Sequence, residues 1–258
     1  MEFTQDDVIR YVESEDVKFI RLAFCDPAGS QKNIAIMPGV LPEAFAQGIP
    51  VDAGGIPGFD PGMLLLRPDP RTLLQMPWRP QHGRVVHMFC DLLTPEGDAH
   101  PLDFRAQLKA VPSQMTVSVE SPFTLYKLNE QGRPTDEPYD EAGYLDIAPA
   151  DRGENVRRAI CLTLEQMGIQ PESSHHGAAP GENLICYQRA GLLRAADDMV
   201  TFRAVARTMA DQSGLSAEFV KPPRLFVQEE ETQWEITPKG NWQNPYKLMM
   251  AVGGKHDI

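Results

Sequence analysis

The chain has 258 residues, of which 42% are hydrophobic and 23% charged, and its formal net charge is −12. Such a composition suits a soluble globular protein with one large domain or two smaller ones. It argues against a nucleic-acid groove, which needs clustered Lys and Arg, and no apolar run approaches the roughly 20 residues needed to span a bilayer.

The N-terminal stretch from Met1 to Asp7 is acidic and has no signal-peptide profile, so the expected location is cytoplasmic. Thr4 can cap a helix over residues 5–15, with Asp6 and Asp7 in its first turn and Val8, Ile9 and Val12 as its apolar stripe. Val17 to Cys25 and Asn33 to Met37 read as two strands of a hairpin turned by Asp26 to Gly29. Residues 40–48 suit a short helix ended by Gly48. Pro50 to Gly62, rich in Gly and Pro, reads as a loop. Met63 to Arg67 and Arg84 to Leu92 read as further strands. One helix, several short strands and irregular loops over this first part predict a small α+β domain.

Pro101 to Ala110 reads as a linker with a short helix, and Met115 to Glu120 and Phe123 to Leu128 as strand. Pro122 lacks a ladder donor and marks an edge or a bulge. A helix is predicted from Asp151, as cap, to Met167, with Glu154 completing a capping box. Val156, Ile160, Leu164 and Met167 form its stripe, and Gly168 ends it. The longest predicted helix is Leu192 to Gln212, followed by a strand from Leu215 to Lys221. Cys25, Cys90, Cys161 and Cys186 are widely spaced and no C-x-x-C occurs, so they read as buried reduced thiols rather than disulfides or zinc ligands.

Between those helices lies the stretch from Glu172 to Gln188. It reads as a strand, a tight turn at Pro180 and Gly181, and a returning strand on which Ile185 and Tyr187 alternate with Cys186 and Gln188. Two His and two Glu in one hairpin invite a metal site. Adjacent His175 and His176, however, point to opposite faces of a strand and cannot both hold one ion without a break in it. A polar hairpin and a metal site both stand on this evidence, because no ligand spacing here is diagnostic.

This hairpin resembles the central hairpin of bacterial glutamine synthetase, with a pattern of roughly E-x-S-H-H-E-V-A-P-G-Q-N-E. Glu172, Ser174, His175, His176, Ala179, Pro180, Gly181 and Asn183 fit it. Val17 to Asp26, Lys32 to Ile36, Met63 to Asp69, Pro77 to Pro80, Gly143 to Pro149 and Asp151 to Arg158 are similar to that family too. The strand from Leu215 to Lys221 resembles its A-T-F-M-P-K-P strand, so the likeness covers about residues 4–223. The resemblance implies an α+β fold: a β-grasp-like N-terminal domain (1–105), then a truncated antiparallel catalytic-type sheet with backing helices (106–223). A divergent tail (224–258) follows. It further implies rings, ATP, Mg²⁺ or Mn²⁺, and ligation of glutamate and ammonia through a γ-glutamyl phosphate.

The family's metal carboxylates are where the chain departs. Glu120 fits the first carboxylate of E-x-E-F-F-L-F, but Pro122 stands at the second, and Gly177 and Leu184 stand at the two hairpin positions. Glu172 and His175 match the nucleotide side; His175 reads equally as an ordinary half-buried strand residue. Asp52, in a segment similar to F-D-G-S-S, matches a residue that serves a neighbouring subunit's ammonium site; without the resemblance it reads as a turn cap. The G-S-G-x-H-x-H segment and the Arg residues that follow in the family do not appear. In the tail, Glu229 to Glu231 reads as a solvated charge run, and Gly253 to His256 lacks P-loop spacing. Trp234, Trp242, Tyr246 and Leu248 would either cover apolar surface or form a partner patch.

The expectation is therefore a glutamine synthetase-like chain without independent ligase activity, binding no cofactor. It would associate with itself or with another chain of the family, and neither nucleic acid nor membrane is an expected partner. Glu120 and Asp52 remain as vestiges of catalysis, and Glu172 and His175 as vestiges of nucleotide binding. The alternatives are an ATP-dependent ligase, whole or split between polypeptides and then needing Mg²⁺ or Mn²⁺ and ATP, and a small-ligand-binding module.

Overall fold

The computed structural model describes residues 3–79 and 82–254, which fall into two units, Met1–Val111 and Pro112–Ile258. Met1 and Glu2, Pro80 at the end of the Pro77 stretch, and Lys255 and His256 lie outside the described residues.

In the first unit, Thr4 caps α1 (Gln5–Ser14) through a full capping box with Asp7. Strands β1 (Val17–Cys25) and β2 (Gln31–Ile36) form the predicted hairpin. Helix α2 (Leu41–Gln47) ends at Gly48, whose φ of 80° explains the residue type. Within the expected Pro50–Gly62 loop, β3 (Ile49–Asp52) instead pairs with β4 (Met63–Pro68). Pro50 is tolerated because β3 is an edge strand of the sheet. With β5 (Leu74–Gln75) and β6 (Arg84–Leu93) the sheet runs β2-β1-β6-β4-β3, with β5 also on β6, and β1 and β6 are parallel. Ile20, Leu22, Val86 and Met88 pack from the sheet into one core with Val8, Val12, Ala44 and Phe45 of the helices.

Helix α3 (Phe104–Lys109) packs with this unit, which runs to Val111. Charge explains the attachment. Arg105 and Lys109 reach Asp69 and Asp91, and the Asp103 carboxylate takes the Leu92 amide at 2.6 Å.

The second unit is built on β7 (Thr116–Leu128), in which the two predicted strand stretches run on as one strand. It is flanked by β8 (Pro134–Pro138), β10 (Glu182–Gly191), β11 (Leu215–Glu218) and β12 (Arg224–Glu229), with β9 (Pro171–His176) beyond β10 and β13 (Thr232–Ile236) beyond β12. Pro122 lies inside β7. On one side β12 pairs with residues 116–120 and β11 with residues 124–127, so the ladder is interrupted opposite the proline. The missing N–H thus sits in a gap between two strands.

Helices α4 (Glu154–Gln166) and α5 (Leu192–Gln212) cover one face of this sheet. Val117, Val119, Phe123 and Leu125 of β7 and Ile185 and Tyr187 of β10 are buried there. Phe202 of α5 stacks at 5.9 Å from Phe123 and 5.5 Å from Tyr187. Asp151 does not cap α4, whose N-cap is Gly153 without a side-chain bond. The Asp151 carboxylate is instead taken by Arg157. The tail joins this unit: Leu225 and Val227 enter the core, and α6 (Pro245–Gly254) packs on α5, burying Tyr246 and Leu248. Tyr246 and Leu248 thus cover apolar surface, while Trp234 and Trp242 are half-buried. None of the four cysteines forms a disulfide; Cys90 is buried and the other three are half-buried.

Candidate functional site

The β9–β10 hairpin divides its side chains between two environments, as strand alternation requires. His176 opposes Asn183 and is fully buried on the helix side, whereas His175 opposes Leu184 on the other, open face. The turn needs Gly181, which has φ 63°, and whose absent Cβ would lie 2.7 Å from the Leu125 carbonyl oxygen.

On the helix side a knot of polar groups forms. His176 Nδ1 faces the Gly177 carbonyl at 2.8 Å and Nε2 faces Asp140 at 2.9 Å. Both partners are acceptors, so both ring nitrogens donate and the ring is an imidazolium. Burial lowers the His176 pKa, but the Gly177 carbonyl and the Asp140 carboxylate outweigh it and the net direction is upward. For Asp140, burial pushes up, and the amides of Arg152 and Gly181 together with His176 pull it below the ordinary carboxylate range. Arg157 grips Asp151 with both nitrogens, at 3.1 and 2.5 Å, and gives a third bond to Asn183 Oδ1 at 2.6 Å. Asp140, Asp151 and His176 come close enough together to suggest an ion. Their chemistry argues otherwise: the imidazole has no free lone pair, and a guanidinium already neutralises Asp151.

The open face carries Ser118, Glu120, Pro122 and Thr124 of β7, opposite Cys186, Leu184 and Glu182 of β10. Its two buried carboxylates are each bound by a cation from the chain. Arg224, first residue of β12 and directly opposite Glu120, reaches that carboxylate at 2.9 Å and Glu235 of β13 at 2.9 Å. Lys221 reaches Glu182 at 2.6 Å, and the other Glu182 oxygen takes the Ala179 amide at 3.0 Å. Burial raises the Glu182 pKa, but Lys221 and that amide more than reverse it, so the group is held below its usual range. An ideal Cβ on Gly177 would lie 2.5 Å from Glu182 Oε2. The Glu182 carboxylate therefore fills the space in which a side chain at position 177 would begin.

Comparison with known proteins places this arrangement. A family model described as the glutamine synthetase β-grasp domain matches residues 16–95, and one for the glutamine synthetase catalytic domain matches residues 104–246. This chain belongs to the glutamine synthetase family. A glutamine synthetase of Clostridium saccharobutylicum is 38% identical over 231 residues, which are 86% of this chain and 52% of that protein. One of Staphylococcus aureus is 37% identical over 236 residues, 87% of this chain and 53% of the relative. The chain thus spans about half the length of the curated relatives it matches. Among solved structures, Plasmodium falciparum glutamine synthetase aligns with TM-score 0.78 at 14% identity over 90% of this chain and 56% of its own. Ligand-free GmaS aligns with TM-score 0.75 at 21% identity over 91% and 59%. The catalytic-domain match runs to residue 246, well into the stretch read as a divergent tail, because β12, β13 and part of α6 continue the same sheet and helix layer.

The three positions at which the family resemblance implied metal carboxylates lie on or beside the open face. Pro122 and Leu184 are cross-strand partners there, and Gly177 lies just beyond β9. The residues present do not fit a divalent ion. Mg²⁺ and Mn²⁺ need several oxygen ligands, and the two buried carboxylates on this face, Glu182 and Glu120, already hold Lys221 and Arg224.

The other candidate positions fall as follows. Asp52 lies in the first unit, where its carboxylate accepts the Gly54 amide at 2.9 Å and caps the turn Ala53–Gly55. Glu172 is exposed, 4.0 Å from the Cys186 sulfur. The His175 ring meets the edge of Tyr144 at 5.5 Å, and its Nδ1 lies 3.0 Å from the His176 carbonyl. Sequence reasoning counted Glu182 among the acidic residues of the hairpin but missed Asp140, Arg157, Lys221 and Arg224 as parts of this system. No local signal marks them, since Lys221 is 39 residues from Glu182 and Arg224 is 104 from Glu120. Among the described residues, no helix is long and apolar enough to cross a membrane.

Proposed function

We propose that this chain is a non-catalytic glutamine synthetase-family protein that acts by association, with copies of itself or with another chain of the family. One observation carries the reading: Pro122, Gly177 and Leu184 stand where the family gathers carboxylates on one face of the sheet. Phosphoryl transfer relies on divalent metal to neutralise phosphate oxygens as charge moves. A pyrrolidine ring, a hydrogen and an isobutyl group supply no ligand for it. Loss of even one such electrostatic contact costs roughly 3 kcal/mol of transition-state stabilisation.

Association is supported by the loop before α4, which presents Tyr144, Leu145 and Ile147 to solvent at 65%, 55% and 79% exposure. Apolar side chains in one exposed loop commonly mark a protein contact. The test is twofold. ATP- and ammonia-dependent γ-glutamyl transfer by the purified chain is expected at the level of the protein-free blank; sustained turnover ends this reading. The native mass, alone and mixed with a full-length synthetase from the same cell, is expected to exceed that of the single chain in at least one case.

A further inference from the structure

We propose that Lys221 and Arg224 are resident cations that take over the electrostatic part played by divalent ions on the open face, making this half of the fold independent of metal. This deepens the reading above and rests on it. Glu120 and Glu182 are only 8% and 6% exposed. Carboxylates so buried need a positive partner or they are severely destabilised. Both partners arrive from one short segment, Lys221-Pro222-Pro223-Arg224, which links β11 to β12. Its two prolines restrict the backbone between the cations.

Three further features belong to the same device. Gly177 leaves open the space that the Glu182 carboxylate enters, and a side chain there would collide with it. The Ala179 amide holds the second Glu182 oxygen, which fixes the carboxylate on the hairpin turn. Glu235 binds the far side of Arg224 and orients the guanidinium toward Glu120. Negative charge has therefore been kept on this face, with covalently attached counter-ions. The cationic side chains are themselves about half exposed, at 51% and 46%. Solvent can thus reach the carboxylates once the cations are removed.

The experiment is thermal unfolding of the whole chain at constant ionic strength, with millimolar MnCl₂ against NaCl, read with Mn²⁺ electron paramagnetic resonance. Wild-type protein is expected to show no Mn²⁺-dependent change in Tm and no bound-Mn²⁺ signal. K221M and R224M should each lower Tm by roughly 2–6 °C. In the K221M/R224M double variant the two losses should add without Mn²⁺-dependent recovery, because Glu120 and Glu182 lie opposite Cys186 and Thr124, four residues apart along the sheet, and cannot share one ion. K221R should behave as wild type, and adding E182Q to K221M should recover part of its loss, because the buried charge then goes with its partner. If K221M does not fold, E182Q/K221M decides: folding supports the assignment, because both charges have gone together, and failure overturns it, because Lys221 then serves packing. Unchanged Tm values in both single variants overturn the resident-cation assignment alone. Tight Mn²⁺ binding by the wild type overturns it together with the non-catalytic reading.

Discussion

Two buried histidines, one in each unit, sit in opposite charge states. His87 of β6 lies beside Arg21, its register partner on β1, and meets the Phe89 ring at 5.2 Å; its Nδ1 has no hydrogen-bond partner among the described residues. Burial, reinforced by the Arg21 charge, drives its pKa down to about 4, so the ring is neutral. His176 is just as buried, but it donates to a carbonyl and a carboxylate, and its pKa rises. Burial alone discharges a histidine, whereas burial among acceptors charges it. A histidine ringed by acids is therefore not by itself a metal cage, and here it is one cation of a two-cation knot.

The sharpest way to break the comparison is to remove the knot's other cation. Arg157→Met should leave Asp151 buried without a counter-charge and cost about 3–5 kcal/mol in urea unfolding near neutral pH. A loss under about 1 kcal/mol would show that the knot contributes little to stability. Next comes acid. With a folded pKa of about 4 against 6.5 unfolded, neutral His87 contributes stability in full above pH 6.5 and loses it as pH falls toward 4. The loss approaches about 3 kcal/mol. It should register in Trp78 fluorescence, in the same unit, and His87→Phe should flatten that acid limb.

His176 should give the reverse sign. Its folded pKa lies above the unfolded value, so its contribution is complete below the unfolded pKa and is lost as pH rises through the folded one. Histidine ring NMR at neutral pH should show an imidazolium for His176 and a neutral ring for His87; like spectra for both would refute the contrast. The smallest effect is expected at the surface. Ile147→Asp should change stability by under about 0.5 kcal/mol while reducing the native mass of any self-assembly, measured by light scattering.

Most of the fold could be read along the chain. The capping box at Thr4, the alternation of β1 and the stripe Val156–Ile160–Leu164 each report one local choice, and each is found in place. Strand β3 was hidden because Pro50 and the glycines after it speak for a loop, while the pairing that makes it a strand comes from β4. Asp151 and Glu154 have capping-box spacing, yet Arg157 claims the aspartate. The carboxylate accepts from the guanidinium and from the amide of Gly153, the N-cap residue, together, so the charge-assisted pair sets its place.

The same division holds at the candidate site. Residue identity alone determined that Pro122, Gly177 and Leu184 can offer no side-chain oxygen to a metal, and that neighbouring histidines must part to opposite faces, because side-chain chemistry and strand period are local properties. Tertiary structure alone decided that Glu182 enters the space beside Gly177, that Lys221 and Arg224 neutralise the remaining carboxylates, and that His176 carries a charge. Those outcomes depend on which groups meet across a sheet, and the electrostatic energy of a buried carboxylate is set by whichever cation the fold brings within about 3 Å of it.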